Sequence, residues 1–383
     1  MKKILCVLAA VAVFAACKET VPMSVYTLGT TQSHPNCIVV DVHAASDAPV
    51  WTADGYPMGP MEAADTVLLP PTAEAAAEHH FYVAMPHPDT EEVVVLLGSQ
   101  KFVLPLAGIV DAQAHRGGMG LYPEETFAAM KNAMDLGVNT LEMDLCVTKD
   151  LQVVLSHDLY FHPRYSTRPD GTSVEEGDSK VYLYTLPYSE VVKWDVGAKA
   201  NPAWPEKHCM PAVKPLAADV LAACEAYWKE NGLSPVKYNI EIKSDEGEGE
   251  GILWPEYHQF TDLCMAVMDA ADLGDRLIIQ CFDERALNYI NEAYPGHTLS
   301  YLVEDWETDF DEYMAKLTFT PAWLSPNHKN VDAALMDKAH EHGMKVVTWT
   351  VDEPAEMQRL MDLGVEALIS NYPDRLLKVT RGY

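Results

Sequence analysis

Basic residues are scarce in this chain of 383: 27 Lys and Arg stand against 57 Asp and Glu, a net charge of −30. A field of that sign repels nucleic acid and anionic lipid surfaces, so neither is an expected partner. An anionic substrate would need local help from Arg, Lys or a metal. Clustered cysteines are also lacking. Beyond Cys6 and Cys17, the remaining Cys37, Cys146, Cys209, Cys224, Cys264 and Cys281 form no CxxC and no dense framework. Cys146 and Cys281 lie in strand-like runs and are expected as buried thiols. The opening apolar run, Ile4 to Phe14, is too short to span a bilayer as a permanent helix. What is there in quantity is 48% hydrophobic and 22% charged residues, the composition of a globular chain, here long enough for two cores.

The opening run reads as a targeting segment: Lys2 and Lys3, the apolar stretch, then small residues ending in Ala15-Ala16-Cys17. Ala-Ala-Cys resembles a bacterial lipobox, which implies cleavage before Cys17 and a lipid on its thiol. Phe14 departs from the usual aliphatic residue, so plain cleavage or an uncleaved anchor stays open. The expected division is a signal peptide over 1–16 and a lipidated tether over 17–34. The chain would then sit in the cell envelope, on the periplasmic or outer-membrane face, touching membrane only through its lipid.

Residues 35–106 carry short β-type runs, Cys37 to Val42, Thr66 to Leu69, Phe81 to Ala84, Glu92 to Leu97 and Lys101 to Leu104, broken by Pro and Gly. Gly98-Ser99 has the composition of a tight hairpin turn. A small β-sandwich-like domain is the natural reading. Asp41-x-His43 and His79-His80 lack further partners at ligand spacing and read as surface.

From 107 to 383, strands and helices alternate. Eight strand candidates, at 112–115, 140–144, 238–243, 277–282, 298–304, 323–327, 345–351 and 367–371, predict an α/β TIM (β/α)₈ barrel. Thr126 to Leu136 is the first predicted helix, with Phe127, Met130 and Met134 on one face and Gly137 as its stop. Residues 159–235, rich in Pro, Gly, Tyr and charge, read as a lid-like excursion that selects the alcohol part of a substrate, with helix resuming at Ala217.

Chemistry concentrates in residues 113–158. In Leu141-Glu142-Met143-Asp144-Leu145, period two puts both carboxylates on one face, about 7 Å apart. The bland reading is a half-exposed strand with its polar face in water. The sharper one is a divalent cation, since hard cations take oxygen ligands. Tyr238-Asn239-Ile240-Glu241-Ile242-Lys243 repeats the pattern and adds a third carboxylate, Glu241, unless Lys243 merely neutralises it as a structural pair. Together the three are a plausible Mg²⁺ or Ca²⁺ site. Val153 to Asp158 follows too short a link for a parallel crossover, so it should fold back as a hairpin with Asp144 roughly opposite His157.

His115-Arg116-Gly117, Pro123-Glu124-Glu125-Thr126, Glu142-x-Asp144, His157-Asp158, Glu241-x-Lys243, Trp349-Thr350 and Asn371-Tyr372-Pro373-Asp374 stand in the order found in glycerophosphodiester phosphodiesterases, and the chain from about Asp111 resembles that family. The resemblance implies a TIM barrel, one divalent cation, a histidine acid/base pair and a small phosphodiester substrate. It implies Glu142, Asp144 and Glu241 as metal ligands and His115 and His157 as acid and base. Arg116 and Lys243 would face the phosphate, Trp349 the glycerol, and Glu124 would lie near the metal. Glu125 departs from the family's usual asparagine. Trp349 as a core aromatic, and Gln280 and Asn371 as residues that only satisfy backbone groups, are the structural alternatives.

The expected reaction is hydrolysis of glycerophosphodiesters to glycerol phosphate and an alcohol, through a cyclic phosphate because the motifs contain no Ser or Cys nucleophile. Lysophospholipids and surface glycans are alternative substrates. A lipid-anchored binding protein without catalysis and a metal-dependent amide or lactone hydrolase are the rival readings.

Overall fold

The period-two runs ending in charged residues become the strands of a closed barrel in the computed structural model. It describes residues 24–31, 34–43, 80–84, 92–97, 100–105 and 110–381, apart from 232, 234 and 305–309. The chain divides into one unit of 1–109 with 377–383 and another of 110–376. Cys17, the expected signal segment and the expected strand Thr66 to Leu69 lie outside the described residues.

In the first unit, β1 (Ser24–Thr31), β2 (His34–His43) and β3 (His80–Ala84) form an antiparallel sheet in that order. A hairpin joins β4 (Glu92–Leu97) to β5 (Gln100–Pro105), with Leu97 opposite Gln100, so only Gly98 and Ser99 connect them as expected. β1 falls inside the stretch expected to be a tether. Its Ser24 to Thr31 register against His43 to His34 shows why: the alternating β-branched and aromatic residues there have a partner strand to pair with.

In the second unit, β6 (Asp111–Ala114), β7 (Thr140–Val147), β9 (Lys237–Ile242), β10 (Leu277–Cys281), β11 (Thr298–Val303), β12 (Trp323–Pro326), β13 (Lys345–Thr348) and β14 (Ala367–Ser370) run parallel. β14 pairs with β6, which closes the TIM barrel. Each strand occupies its predicted place. Most end one or more residues before the predicted boundary, because the polar residues there leave the ladder to face the barrel's open end.

Alternation within β9 separates two environments. Tyr238, Ile240 and Ile242 are fully buried against the helices, each aliphatic side chain contributing roughly 1.5–3 kcal/mol. Asn239 points inward and donates to Gln113 Oε1 at 2.9 Å and Gln280 Oε1 at 3.2 Å, a polar layer inside the barrel. Outside, α1 (Phe127–Leu136) is capped by Thr126, whose hydroxyl accepts from Ala129 N, and it ends at Gly137 with φ 92°. Met130 and Met134 are its buried stripe.

β8 (Val153–Leu155) folds back antiparallel on β7, as the short link requires. Its register places Ser156, not His157, in the row of Asp144: Leu145 faces Leu155, and Ser156 N donates to Asp144 O at 2.9 Å. The pairing of Val147 with Val153 centres the turn on Asp150 and sets that row. After β8 comes the excursion. Residues 159–216 carry a small core. Phe161 stacks on Trp194 at 4.1 Å, and with Tyr165, Val174, Leu183, Val191 and Val196 they close on Cys146 and Val154 as a small core of their own. Many of the excursion's apolar side chains pack in that core, while Met210 and Val213 stay exposed. α2 (Ala217–Glu230) then resumes the barrel.

Candidate active site

Glu142 and Asp144 from β7 and Glu241 from β9 point into the barrel's C-terminal end, where they are 2%, 1% and 6% exposed. The half-exposed strand is thereby excluded. One carboxylate oxygen from each lies within 4.8 Å of the others, and among the described residues this is the group arranged to hold a metal ion. Glu142 is fixed by both oxygens: Oε2 accepts from Arg116 N at 2.8 Å and Oε1 from Gln280 Nε2 at 2.9 Å. Both Asp144 oxygens are buried without a hydrogen bond. Their nearest cations, Arg116 Nε at 3.5 Å and Lys243 Nζ at 3.7 Å, are within ion-pair but not hydrogen-bond range. Orphaned buried carboxylate oxygens in an all-oxygen donor set fit a hard divalent cation. Lys243 does pair with Glu241, at 2.6 Å, so the structural pair and the three-carboxylate cluster coexist.

The turn after β6 supplies the opposite wall. Arg116 has φ 51° and Gly117 φ 79°, where a Cβ would lie 2.8 Å from that of Ala129, so the position requires glycine. That bend directs the Arg116 guanidinium at Glu124, with Nη1 to Oε1 at 2.9 Å. Glu124 therefore sits behind Arg116 rather than among the three carboxylates. Its neighbour Glu125 is buried, its Oε1 accepting from Asp144 N at 3.2 Å while Oε2 has no partner. His115 Nδ1 lies 2.5 Å from Asn371 Oδ1. Asn371 commits its amide Nδ2 to Asp352 Oδ2 at 2.7 Å, so its oxygen must accept and His115 Nδ1 must carry the proton. Nε2 is left with the lone pair.

His157 follows β8. Its Nδ1 is 3.4 Å from Asp158 Oδ1 without the alignment of a hydrogen bond, and Asp158 Oδ2 accepts from Tyr165 OH at 2.9 Å. His115, Arg116, Glu142, His157, Glu241 and Lys243 all line one cavity of about 300 Å³. Phe282, Leu302, Trp349 and Ile369 form its apolar wall, and Glu304 and Thr350 share its lining. Trp349 meets Phe282 edge-on at 5.5 Å and donates from Nε1 to Ser325 O at 2.9 Å, so it is both cavity wall and packed aromatic.

Burial dominates the electrostatics. It lowers His115 to about 3, with help from the Arg116 charge, and lowers His157, with help from Lys243 and Arg116. It raises Glu241 to about 7 despite Lys243, and raises Glu142 and Glu125, each further pushed by Asp144. Asp144 shifts the other way: burial opposes ionisation, but Lys243, His157 and Arg116 outweigh it. The site thus concentrates one firmly ionised carboxylate and others that a cation would have to deprotonate.

Gln280 and Asn371 do more than satisfy backbone. They orient a candidate metal ligand and a candidate catalytic histidine. Sequence reasoning missed Asp352, Phe282, Glu304 and the buried lysines of the excursion. Phe282 and Glu304 sit at predicted strand ends, which is a usable signal. Asp352 and the lysines carry none. Cys146 and Cys281 are buried thiols as expected, bonded to Ser156 O and Ile242 O at 3.0 and 3.1 Å.

Residues 115–375 match the model of the glycerophosphoryl diester phosphodiesterase family. A glycerophosphodiester phosphodiesterase of Caldanaerobacter subterraneus is 29% identical over 70% of this chain and 96% of its own. A lysophospholipase D of Mus musculus is 27% identical over 69% of this chain and 83% of its own. Among solved structures, an Oleispira antarctica phosphodiesterase in complex with the product sn-glycerol-3-phosphate aligns with TM-score 0.55 and 21% identity, covering 70% of this chain and 95% of that one.

Proposed function

Since the chain belongs to the glycerophosphoryl diester phosphodiesterase family, we propose that it cleaves glycerophosphodiesters to glycerol phosphate and an alcohol by histidine acid/base catalysis around one divalent cation. The observation that carries this is the convergence of Glu142, Asp144 and Glu241 on the cavity that His115 and His157 line. The family is generally dependent on divalent metal. The three carboxylates would hold the ion, with Mg²⁺ or Ca²⁺ favoured by their oxygen-only donors. Bound there, it supplies Lewis-acid stabilisation of charge on the phosphoryl oxygens.

Arg116 and Lys243 bind the phosphodiester anion and offset the charge that builds at five-coordinate phosphorus. His115, neutral and protonated only at Nδ1, presents the Nε2 lone pair of a general base. It takes the proton from the glycerol 2-hydroxyl, whose oxygen forms a bond to the adjacent phosphorus. His157, whose imidazolium is opposed by burial, Lys243 and Arg116 and becomes favoured when the substrate anion offsets those two cations beside Asp158, protonates the departing alkoxide. The resulting cyclic phosphate is opened by water, with the two roles reversed. An attacking hydroxyl already tethered to the phosphate has a high effective concentration. Trp349 packs on the glycerol.

The apolar wall of Phe282, Leu302, Trp349 and Ile369 favours lysophospholipids as a second substrate class. Intact acid, base and ligand positions argue against a pure binding protein, and the absence of histidines from the ligand cluster argues against the amide or lactone hydrolase. The lipid anchor at Cys17 and its envelope location rest on the Ala15-Ala16-Cys17 motif, and loss of detergent-phase partitioning in Cys17→Ser tests them. The central experiment assays glycerophosphodiesters and lysophospholipids with and without chelator, beside a substrate whose 2-hydroxyl is replaced by hydrogen. Full activity in metal-free protein sinks the metal role. Undiminished cleavage of the deoxy substrate sinks the cyclic phosphate.

A further inference from the structure

The excursion lines none of the cavity, yet it sends two lysines into the protein directly behind it. Lys214 is 3% exposed, and its ammonium lies 5.7 and 5.3 Å from the ring centres of Phe161 and Tyr165. Among the described residues no carboxylate is in ion-pair contact with it. Its hydrogen bond goes to Ser156 Oγ at 2.5 Å. A methionine or leucine would fill this volume without the cost of desolvating an amine, so stability alone does not account for a lysine here. Having accepted that bond, Ser156 Oγ gives its own proton to Asp158 O at 2.6 Å. Tyr165 holds the Asp158 carboxylate at 2.9 Å. The turn 156–158 is therefore pinned at both ends by the excursion, and His157 is the residue between the pins.

Lys207 does the corresponding thing on the other wall. Its side chain is 5% exposed and its ammonium is 3.7 Å from Glu124 Oε2, while Glu124 Oε1 receives Arg116 at 2.9 Å. The excursion is locked to this segment by His208 N donating to Leu121 O at 2.7 Å. Gly197 packs so closely that a Cβ there would lie 2.9 Å from that of Pro123.

We propose that residues 159–216 are an internal brace whose Lys214 and Lys207 are positioning residues, Lys214 aiming His157 through Ser156 and Asp158 and Lys207 aiming Arg116 through Glu124. The inference rests on the roles assigned above to His157 and Arg116. It makes the two lysines separable by kinetics, because one stands behind a proton-transfer group and the other behind an anion-binding group.

The test compares full-length Lys214→Met, Lys207→Met, Lys207→Arg, Tyr165→Phe and His157→Ala on one soluble glycerophosphodiester, with active fraction normalised by thermal unfolding. Lys214→Met should lower kcat by about 10-fold to 100-fold with KM within about twofold, the scale on which small misplacements act. Lys207→Met should raise KM by about 10-fold with a smaller fall in kcat, since Arg116 serves both ground-state binding and the charge at phosphorus, and Lys207→Arg should restore both. If Lys214→Met does not fold, Tyr165→Phe carries the same readout with a smaller fall in kcat. Wild-type kcat in these His157-side variants, or the same kcat and KM pattern from both lysine substitutions, overturns the brace. Inactive His157→Ala beside unaffected Lys214→Met would overturn the brace while leaving the catalytic assignment standing. Active His157→Ala would remove the assignment itself, and the brace with it.

Discussion

At the N-terminal end of the barrel, Glu225 of α2 is answered on every side. Its Oε1 accepts from Arg276 Nη1 at 2.7 Å, Tyr238 OH at 2.9 Å and Trp228 Nε1 at 3.0 Å, and its Oε2 from Arg276 Nη2 at 2.9 Å. Burial opposes its ionisation, but these donors hold it down to about 2. At the C-terminal end, Asp144 is more deeply buried and neither of its oxygens accepts a hydrogen bond. Two carboxylates of one fold thus meet opposite fates. A satisfied buried charge is structural; an unsatisfied one held ionised by cations is a site awaiting a ligand. The difference agrees with the general division of such barrels into a stabilising face and a reactive one.

The largest expected effect is at the unsatisfied end. Glu142→Gln should weaken cation binding and cost several kcal/mol of transition-state stabilisation, roughly 10²-fold to 10³-fold in kcat/KM. Because Gln at 142 turns an amide N–H toward either Arg116 N or Gln280 Nε2, thermal unfolding of the metal-free protein should show a loss of no more than about 1 kcal/mol. A variant that unfolds early but turns over normally would reverse the comparison. Arg276→Met should do the opposite: about 2 kcal/mol lost in denaturant unfolding, since it removes two charge-assisted bonds to Glu225 and leaves only Tyr238, Trp228 and Lys229 around it, with turnover per folded molecule unchanged.

Next comes pH. Glu241 is raised to about 7, so below that value the metal-free site holds a proton that a cation must displace. Cation affinity should rise with pH through about 7, near tenfold per unit for one displaced proton. Calorimetry in buffers of differing ionisation heat would detect the released proton; none released means the carboxylate is already ionised. The same upward shift favours the folded state at low pH and is lost as pH rises through 7. The smallest effect belongs to Tyr238→Phe, which removes one of several donors to Glu225 and should cost about 1 kcal/mol with wild-type kcat. A larger loss would show that Tyr238 is the principal anchor of that pair.

Much of the site was legible before folding was considered. Glu142, Asp144 and Glu241 stand out because carboxylates in otherwise apolar period-two runs must point somewhere, and the barrel offers an interior end. Val153 to Asp158 was bound to turn back because its link is short. The row occupied by His157 was not legible, since a change of one residue follows from where the turn is centred, and the pairing of Val147 with Val153 centres it on Asp150. Gln280 and Asn371 looked able to serve any backbone group. Their bonds to Glu142 and His115 span 138 and 256 residues of sequence.

The local pattern by itself determined the alternation of strands and helices, the inward face of each strand and the residues able to do acid/base or metal chemistry. Those properties follow from a side-chain period of two and from the scarcity of reasons to place charge in an apolar run. Closure of the barrel decided the rest. It put the proton of His115 on Nδ1 by facing it with Asn371 and Asp352. It also turned a stretch with the composition of a lid into a packed body whose lysines reach the site from behind. Such contacts join segments whose local composition is unrelated, so only the folded chain brings them within hydrogen-bond reach.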